Sequence, residues 1–379
     1  MKHLFCMFNA NDPTPTAAAI RSSSYDKVTV IILGREWFNP RQEGSLYRFK
    51  KWLSGTVKGA EAWPKGLWKE EWDWNKTEAE VEFVEVDDLS EITFDTQPDS
   101  TVIVDLKSGT KKMSIEMMEY AQRQMDNVQF IMSNLGSCIA LTFGVVVPTL
   151  HLSLNEMVWL SSGLIIDVDY DPDDEFVSNA VTYFDYSWNR RFLFKQHYLE
   201  KMGKVFSGSE ERDKKIHQSY LEEFTTSALK KKDEIVQVFG GVRFIHPDSL
   251  DTCLEKGMWA ARRDESEFAK EHHQNIMEFL SGVECDDDEI IDYVRGKIHT
   301  MEIDCLALTR DGLMIGVECK YGTYGEKDLN RLNAICSSLS PRFYPLMVNT
   351  RLEKEHKLGV HQIPFPVLLD PLDTILSPQ

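Results

Sequence analysis

The strongest constraint on this chain lies near its C-terminal end. Met301 to Leu308 and Leu313 to Lys320 are apolar runs separated by Arg310-Asp311-Gly312. Apolar runs flanking an Asp-Gly turn predict a β-hairpin. Three polar groups lie inside the runs: Asp304, Glu318 and Lys320. With a three-residue loop from Arg310 to Gly312, Thr309 pairs with Leu313 and Asp304 faces Glu318. Alternation along the strand puts Lys320 on the face of Glu318. Directly opposed Cβ atoms lie about 5 Å apart, close enough for two carboxylates to share one cation. A two-residue loop would set Asp304 opposite Cys319 instead, so the arrangement rests on register.

Two carboxylates and an ammonium on otherwise apolar strands are costly to bury unless they are paired or hold a metal. One solution is a structural Lys–carboxylate pair at a strand end. The other is an Asp…Glu-x-Lys nuclease centre. In it Asp304, Glu318 and the backbone carbonyl of Cys319 offer oxygens to Mg²⁺ or Mn²⁺, and Lys320 orients the metal-activated water and offsets phosphorane charge.

The chain has 379 residues, enough for two or three domains, and a net charge of −19 with pI about 5.0. That balance argues against a general DNA-coating protein, which needs excess Lys and Arg, but not against a nuclease with local basic groups. Lys111-Lys112, Arg190-Arg191, Lys230-Lys231-Lys232 and Arg262-Arg263 are the basic clusters; each also fits a solvated face. Seven cysteines are scattered without CxxC spacing, which disfavours zinc or a disulfide framework and points to a reducing cytoplasm. Met1 to Phe8 is too short for a signal peptide. The most apolar stretch, Cys138 to Leu152, is broken by Thr142, Gly144, Pro148 and His151 and falls short of the roughly 20 residues a membrane helix needs, so no membrane partner is expected.

Along the N-terminal part, strand-like runs (His3 to Phe8, Asp26 to Leu33, Glu80 to Val86, Thr101 to Leu106, Val128 to Met132) alternate with helical ones (Ala17 to Ser22, Leu46 to Leu53, Met113 to Gln124). This predicts an open, mostly parallel α/β sheet, whose ligands bind at the carboxyl ends of strands. Two loops fall there: Asn9 to Thr16, with Asn9, Asn11, Asp12 and Thr14 as binding candidates, and Lys107 to Lys112, with Ser108, Gly109, Thr110 and Lys111. The second offers backbone N–H groups and a charge to a phosphate, or is simply a strand–helix turn with a Ser or Thr cap. A hairpin and a helix near Leu154 to Ser161 follow. Asp167 to Glu175 imitates a calcium loop but has Pro172 where glycine is required.

Phe176 to Lys232 reads as a charged, mostly helical connector, with Tyr183 to Met202 and Glu210 to Lys231 as helices. Arg191 and His197 have the spacing of some metal-independent ribonucleases, a pattern common by chance. Ile235 to Ile245 then reads as strand and Leu250 to Leu280 as helical, with Trp259 among its core contacts. Glu289 to His299 is expected as a strand, Lys327 to Leu339 as a helix, Tyr344 to Asn349 as a strand and Pro364 to Leu369 as the last strand. The expected layout is a sensor-like unit at 1–165, a connector at 166–235 and a second α/β unit at 236–379.

The strand–Ser108-Gly109-Thr110-Lys111–helix unit resembles CARF domains, the cyclic-oligoadenylate sensors of type III CRISPR immunity. Asp304…Glu318-Cys319-Lys320 resembles PD-(D/E)xK nucleases. Together they look like the CARF-plus-restriction-endonuclease effectors of type III CRISPR systems. The resemblance implies a Rossmann-like CARF domain followed by a restriction-endonuclease-like α/β domain. It implies a cytoplasmic homodimer holding cyclic tetra-adenylate (or the hexa-adenylate) in a composite pocket, and metal-dependent cleavage of DNA, RNA or both in antiviral defence. It also places another acid on the helix before the hairpin, after a Gly-x-Trp element. Here that alignment reads Gly257-Met258-Trp259-Ala260-Ala261, leaving Glu265, Glu267 or Glu271 to substitute. Two alternatives remain at this stage: an oligoadenylate-binding regulator with an inactive nuclease fold, and a standalone DNA-repair endonuclease.

Overall fold

A computed structural model describes residues 1–58, 67, 71–94, 100–125, 127–133, 135, 137–141, 145–148, 152–170, 184–186, 192–194, 210–247, 250–299, 301–322, 324–340, 342–350 and 355–376. The chain divides into two compact units. One holds Met1–Glu61, Lys69–Gly163 and Arg310–Gly312; the other holds Ala62–Trp68, Leu164–Thr309 and Leu313–Gln379.

The first unit is built on a seven-stranded sheet in the order β5-β2-β1-β6-β7-β8-β9. Its strands are β1 (Lys2–Met7), β2 (Lys27–Leu33), β5 (Glu80–Val86), β6 (Thr101–Asp105), β7 (Val128–Ser133), β8 (Ser137–Ala140) and β9 (Val145–Pro148). A separate ribbon pairs β3 (Thr56–Lys58) with β4 (Glu71–Asp73). The first five sheet strands run parallel and the β8–β9 hairpin closes the edge. Val28, Val30, Ile31 and Ile32 are buried without interruption, as a strand covered on both faces requires. From β1 the chain goes to β2 on one side, while β6 lies on the other. The loops after β1 and β6 are therefore neighbours at a switch point, where open α/β sheets bind ligands. Beside the sheet, Arg21 and the indole N–H of Trp52 both reach Glu156 Oε1, at 2.8 and 2.9 Å, satisfying a buried carboxylate.

The second unit carries a seven-stranded mixed sheet in the order β10-β13-β14-β15-β16-β18-β17. Its strands are β10 (Ile165–Tyr170), β13 (Ile235–Ile245), β14 (Met301–Thr309), β15 (Met314–Lys320), β16 (Phe343–Asn349), β17 (Glu355–Lys357) and β18 (Val360–Pro364); β11 (Phe184–Tyr186) and β12 (Phe192–Phe194) pair separately. The strand Ile165–Tyr170, which starts one residue before the stretch expected as a connector, and the helix Glu210–Lys230 within that stretch both belong to this unit. Tyr220, Leu221, Phe224, Ala228 and Leu229 form the apolar stripe of that helix and pack on Cys305, Ala307, Val317 and Cys319.

Several expectations are corrected. Glu289 to His299 is not a strand: Glu289 to Ile298 lies within the helix Asp288–Ile298, and His299 follows its end. Ile290, Ile291, Val294 and Ile298 are buried at helical spacing, and Asp287 caps the first turn. The last strand is Val360–Pro364, and Phe365–Leu369 forms a 3₁₀ turn. Trp259 is 57% exposed rather than core, with the Arg263 guanidinium stacked 4.0 Å from its ring. In the stretch expected as the helix Tyr183 to Met202, the described residues form the β11–β12 hairpin. Arg190, Arg191 and His197 lie outside the described residues, as does most of the calcium-like loop.

Candidate active site and ligand edge

The hairpin has the register that puts its acids together. Cys305 pairs with Val317, Leu306 with Gly316, Ala307 with Ile315 and Leu308 with Met314. The Thr309 N–H closes the turn by donating to the Leu313 carbonyl at 2.9 Å. Gly312 takes φ +84°, the left-handed turn conformation that glycine accepts without strain. Continued by one pair, the ladder sets Asp304 opposite Glu318. The Cys319 N–H donates to Asp304 Oδ2 at 2.6 Å, tying the acid to the facing strand.

Glu318 is 4% exposed and is held by two cations. Lys320 Nζ lies 2.7 Å and Arg331 Nη1 3.3 Å from its Oε1. Arg331 comes from the helix Glu326–Leu339 and also donates from Nη2 to the Glu302 carbonyl at 3.1 Å. Asp328 on the same helix stands 4.0 Å from Lys320. The helix can come close because Gly316 has no side chain: a Cβ there would lie 2.7 Å from Cys336 Sγ.

Another helix brings a third acid to the hairpin end. Glu222 faces the hairpin end from the helix Glu210–Lys230. Burial pushes the Glu222 carboxyl above its ordinary range; Gln218 opposes this, and repulsion from Glu318 adds to it. Asp304 is driven well above the usual carboxylate range by burial, then by Glu318 and Glu222. Lys320 rises despite burial, because Glu318 and Asp304 favour the ammonium. The charge of Glu318 raises both Asp304 and Glu222, and a group of carboxylate oxygens of this kind suits a hard cation. Their donor chemistry fits Mg²⁺ or Mn²⁺. Among the described residues, however, no three His, Cys, Asp or Glu side chains converge on one ion, since Glu318 is turned to Lys320 and Arg331.

Sequence reasoning missed Glu222, Gln218 and Arg331. The signal for the first two was the apolar period Tyr220, Leu221, Phe224, Ala228 and Leu229, which marks a core-facing helix rather than a solvated connector. Arg331 had no comparable signal, because it lies on the half-exposed rim of an ordinary amphipathic helix. Glu265, Glu267 and Glu271 lie instead on the loop and short helix after Arg263.

In the first unit, the two expected loops meet at the carboxyl edge of the sheet. Asp105, at the end of β6, is wholly buried and accepts four hydrogen bonds. Ser133 gives its N–H at 3.0 Å and its hydroxyl at 2.8 Å; Ser108 and Lys107 give their N–H groups at 2.8 and 3.2 Å. Burial still raises its carboxyl, against the pull of these donors. Ser108 is also buried, and its hydroxyl accepts the Met7 N–H at 3.0 Å, so it fastens the loop to β1. A Cβ at Gly109 would meet the end of the Met7 side chain, so a larger residue there would have to displace it. Thr110 caps the helix Lys111–Gln124 by accepting the Met113 N–H at 3.3 Å. Lys111 is exposed at its first turn.

The Asn9 loop is folded on itself. Asn9 Oδ1 accepts the N–H groups of Asn11 and Asp12, and Asp12 Oδ1 accepts the N–H and hydroxyl of Thr14. Thr14 is buried, whereas Asn11 is exposed. The turn after β2 leads into the helix Pro40–Leu53, from which Gln42 donates to Asn11 Oδ1 at 3.4 Å. That turn, set by Gly34 at φ +60° and anchored by Arg35 on Glu43 and Glu85, leaves Trp37 81% exposed.

No protein-family model matches the chain, and no curated protein matches it in sequence. Solved structures do match its fold. Can2 from Sulfobacillus thermosulfidooxidans, solved in complex with cyclic tetra-adenylate, superposes with a TM-score of 0.56 at 9% identity over 100% of both chains. Protein VC1899 from Vibrio cholerae gives 0.55 at 11% identity over 97% of this chain and 95% of its own. A type III CRISPR defence DNA nuclease activated by cyclic oligoadenylate gives 0.51 at 14% identity. The match covers all of this chain and 52% of that nuclease, so this chain spans about half its length. The shared architecture is the mixed α/β arrangement expected from sequence.

Proposed function

We propose that this chain is a metal-dependent nuclease switched on by a cyclic oligoadenylate, acting as a cytoplasmic homodimer in type III CRISPR defence. The observation that carries the nuclease reading is that Asp304, Glu318, Lys320 and Glu222 lie near one another at one end of the β14–β15 hairpin. The sensor reading rests on the neighbouring β1 and β6 loops and on fold likeness to a protein solved with cyclic tetra-adenylate.

Asp304, Glu318, Glu222 and the Cys319 carbonyl would hold Mg²⁺ or Mn²⁺, which supplies an acidified water and Lewis-acid polarisation of the phosphate. Lys320, 2.7 Å from Glu318, would place its ammonium against the developing charge of the scissile phosphate. Arg331, half exposed, would release Glu318 and turn to a flanking phosphate of DNA or RNA. In the first unit, Gly109, Thr110 and Lys111 would present the helix N-terminus and an ammonium to ligand phosphates, with Ser108 holding the loop. Asn9, Asn11, Asp12 and Thr14 would shape the facing wall, and exposed Trp37 would offer a ring face to adenine. A two-fold ligand suits an isologous dimer.

One observation favours a second reading, an oligoadenylate-binding regulator with an inactive nuclease fold: Glu318 already has two cationic partners. Plasmid and single-stranded DNA and RNA, incubated with Mn²⁺ or Mg²⁺ with and without cyclic tetra-adenylate, separate the two. Cleavage is expected only with both metal and ligand, and a loss of at least about a hundredfold in Lys320→Ala. No cleavage by the wild type under any condition would establish the regulator instead. Equal cleavage without the ligand would remove the sensor.

A further inference from the structure

Gln218 lies one helical turn before Glu222, and every hydrogen-bonding position of its NH₂ group is used. Nε2 donates to Glu222 Oε1 at 2.6 Å and to the Cys319 carbonyl at 2.7 Å. Its Oε1 accepts the Tyr321 N–H at 2.7 Å. The partners themselves fix which amide atom is which, with two acceptors on one side and a donor on the other. Three short bonds from one partly buried side chain exceed what docking this helix needs, since the stripe from Tyr220 to Leu229 already packs it on β15. The partners are also telling. One is a carboxylate and one a carbonyl of the candidate cation site. The third is the N–H just beyond Lys320, so the amide brackets the residue that carries the ammonium.

We infer that Gln218 is a positioning residue for the cation site: it sets the Glu222 carboxylate and the Cys319 carbonyl so that their remaining lone pairs face one hard cation. Gln218 itself touches neither cation nor substrate. A carboxylate has about four lone-pair positions and a carbonyl two, so one accepted N–H leaves each free to ligate. Donation to Glu222 also offsets part of the repulsion between that carboxylate and Glu318. The inference rests on the nuclease reading above, and its test is built to fail separately.

Mn²⁺ binding by the full chain is measured without substrate, by calorimetry and by electron paramagnetic resonance. The proteins are wild type, Glu318→Gln, Gln218→Met and Gln218→Glu, each with its metal-free melting midpoint. Gln218→Met keeps length and packing while removing all three bonds. Gln218→Glu keeps an acceptor for Tyr321 but turns an oxygen toward Glu222 and the Cys319 carbonyl. Mn²⁺ affinity is expected to fall about 10- to 100-fold in Gln218→Met and further in Gln218→Glu. Cleavage by Gln218→Met should return toward wild type at saturating Mn²⁺. Unchanged Mn²⁺ affinity in both Gln218 variants overturns the positioning role, whatever happens to the melting midpoint. Wild type binding Mn²⁺ no better than Glu318→Gln overturns the nuclease reading itself.

Discussion

Asp105 is wholly buried at the end of β6, Asp304 is half-buried within β14, and the two carboxylates are treated in opposite ways. Asp105 is surrounded by donors: four hydrogen bonds from Lys107, Ser108 and Ser133, and no carboxylate among its neighbours in charge. Asp304 has one backbone donor, from Cys319, and two other acids pressing on it. The first is a fastener, joining β6, β7 and the loop that Ser108 ties to β1. The second is left short of positive charge. Satisfied buried groups stabilise and specify a fold, whereas unsatisfied ones mark places where chemistry is kept ready.

The largest expected effect separates the two directly. Asp105→Ala strands buried N–H groups and should cost the first unit about 3 kcal/mol, roughly 10 °C in its melting midpoint. A midpoint within a degree or two of wild type in a calorimetric scan would mean that the carboxylate fastens nothing.

Asp304→Asn should do the reverse. The folded-state pKa of Asp304 lies above its unfolded value, so the folded protein holds that proton more tightly. Its contribution to stability therefore falls as pH rises from the ordinary carboxylate range, near 3.8, toward its raised folded value. Removing the charge should stabilise the second unit at pH 8 by on the order of 1 kcal/mol, allowing for water at the site's rim, and give nothing near pH 3. Cleavage should be lost at the same time. Melting curves of Asp304→Asn and wild type at both pH values test this; a variant less stable at pH 8 would make Asp304 a second fastener.

The smallest effect sharpens the comparison within the first unit. Trp37→Ala removes an exposed ring from the same sheet edge that Asp105 fastens. It should weaken cyclic tetra-adenylate binding about tenfold while leaving the ligand-free melting midpoint unchanged. Titration calorimetry with unchanged affinity would exclude Trp37 from the ligand edge.

What was legible in the sequence followed from local rules. The Asp-Gly turn and its flanking alternation predict the hairpin, and with a three-residue loop they pair Asp304 with Glu318, the register that the ladder has. The parallel sheet followed from β-branched runs alternating with helical ones. Groups that meet only in three dimensions were hidden. Glu222 lies 82 positions before Asp304 in the chain, on a helix whose many charged residues mask its buried stripe. Ile290, Ile291 and Val294 look like strand residues in a short window, and their helical period shows only when Ile298 and the Asp287 cap are included. Trp259 shows the opposite error, a large apolar residue that a neighbouring arginine covers at the surface.

Between Glu318 and Lys320 lies Cys319, whose side chain points the other way. Its sulfur is fully buried, 3.4 Å from Thr225 Oγ1 and 4.0 Å from the Leu221 carbonyl, against the helix Glu210–Lys230. Burial also holds the thiol well above its ordinary pKa, so little reactive thiolate forms while the helix is seated. An alkylating reagent can label it only in the moments when helix and strand part. The rate at which Cys319 is alkylated, read by peptide mapping, is thus a built-in clock for the breathing of β15. It runs without substrate, metal or activator, and shows whether any of them slows it.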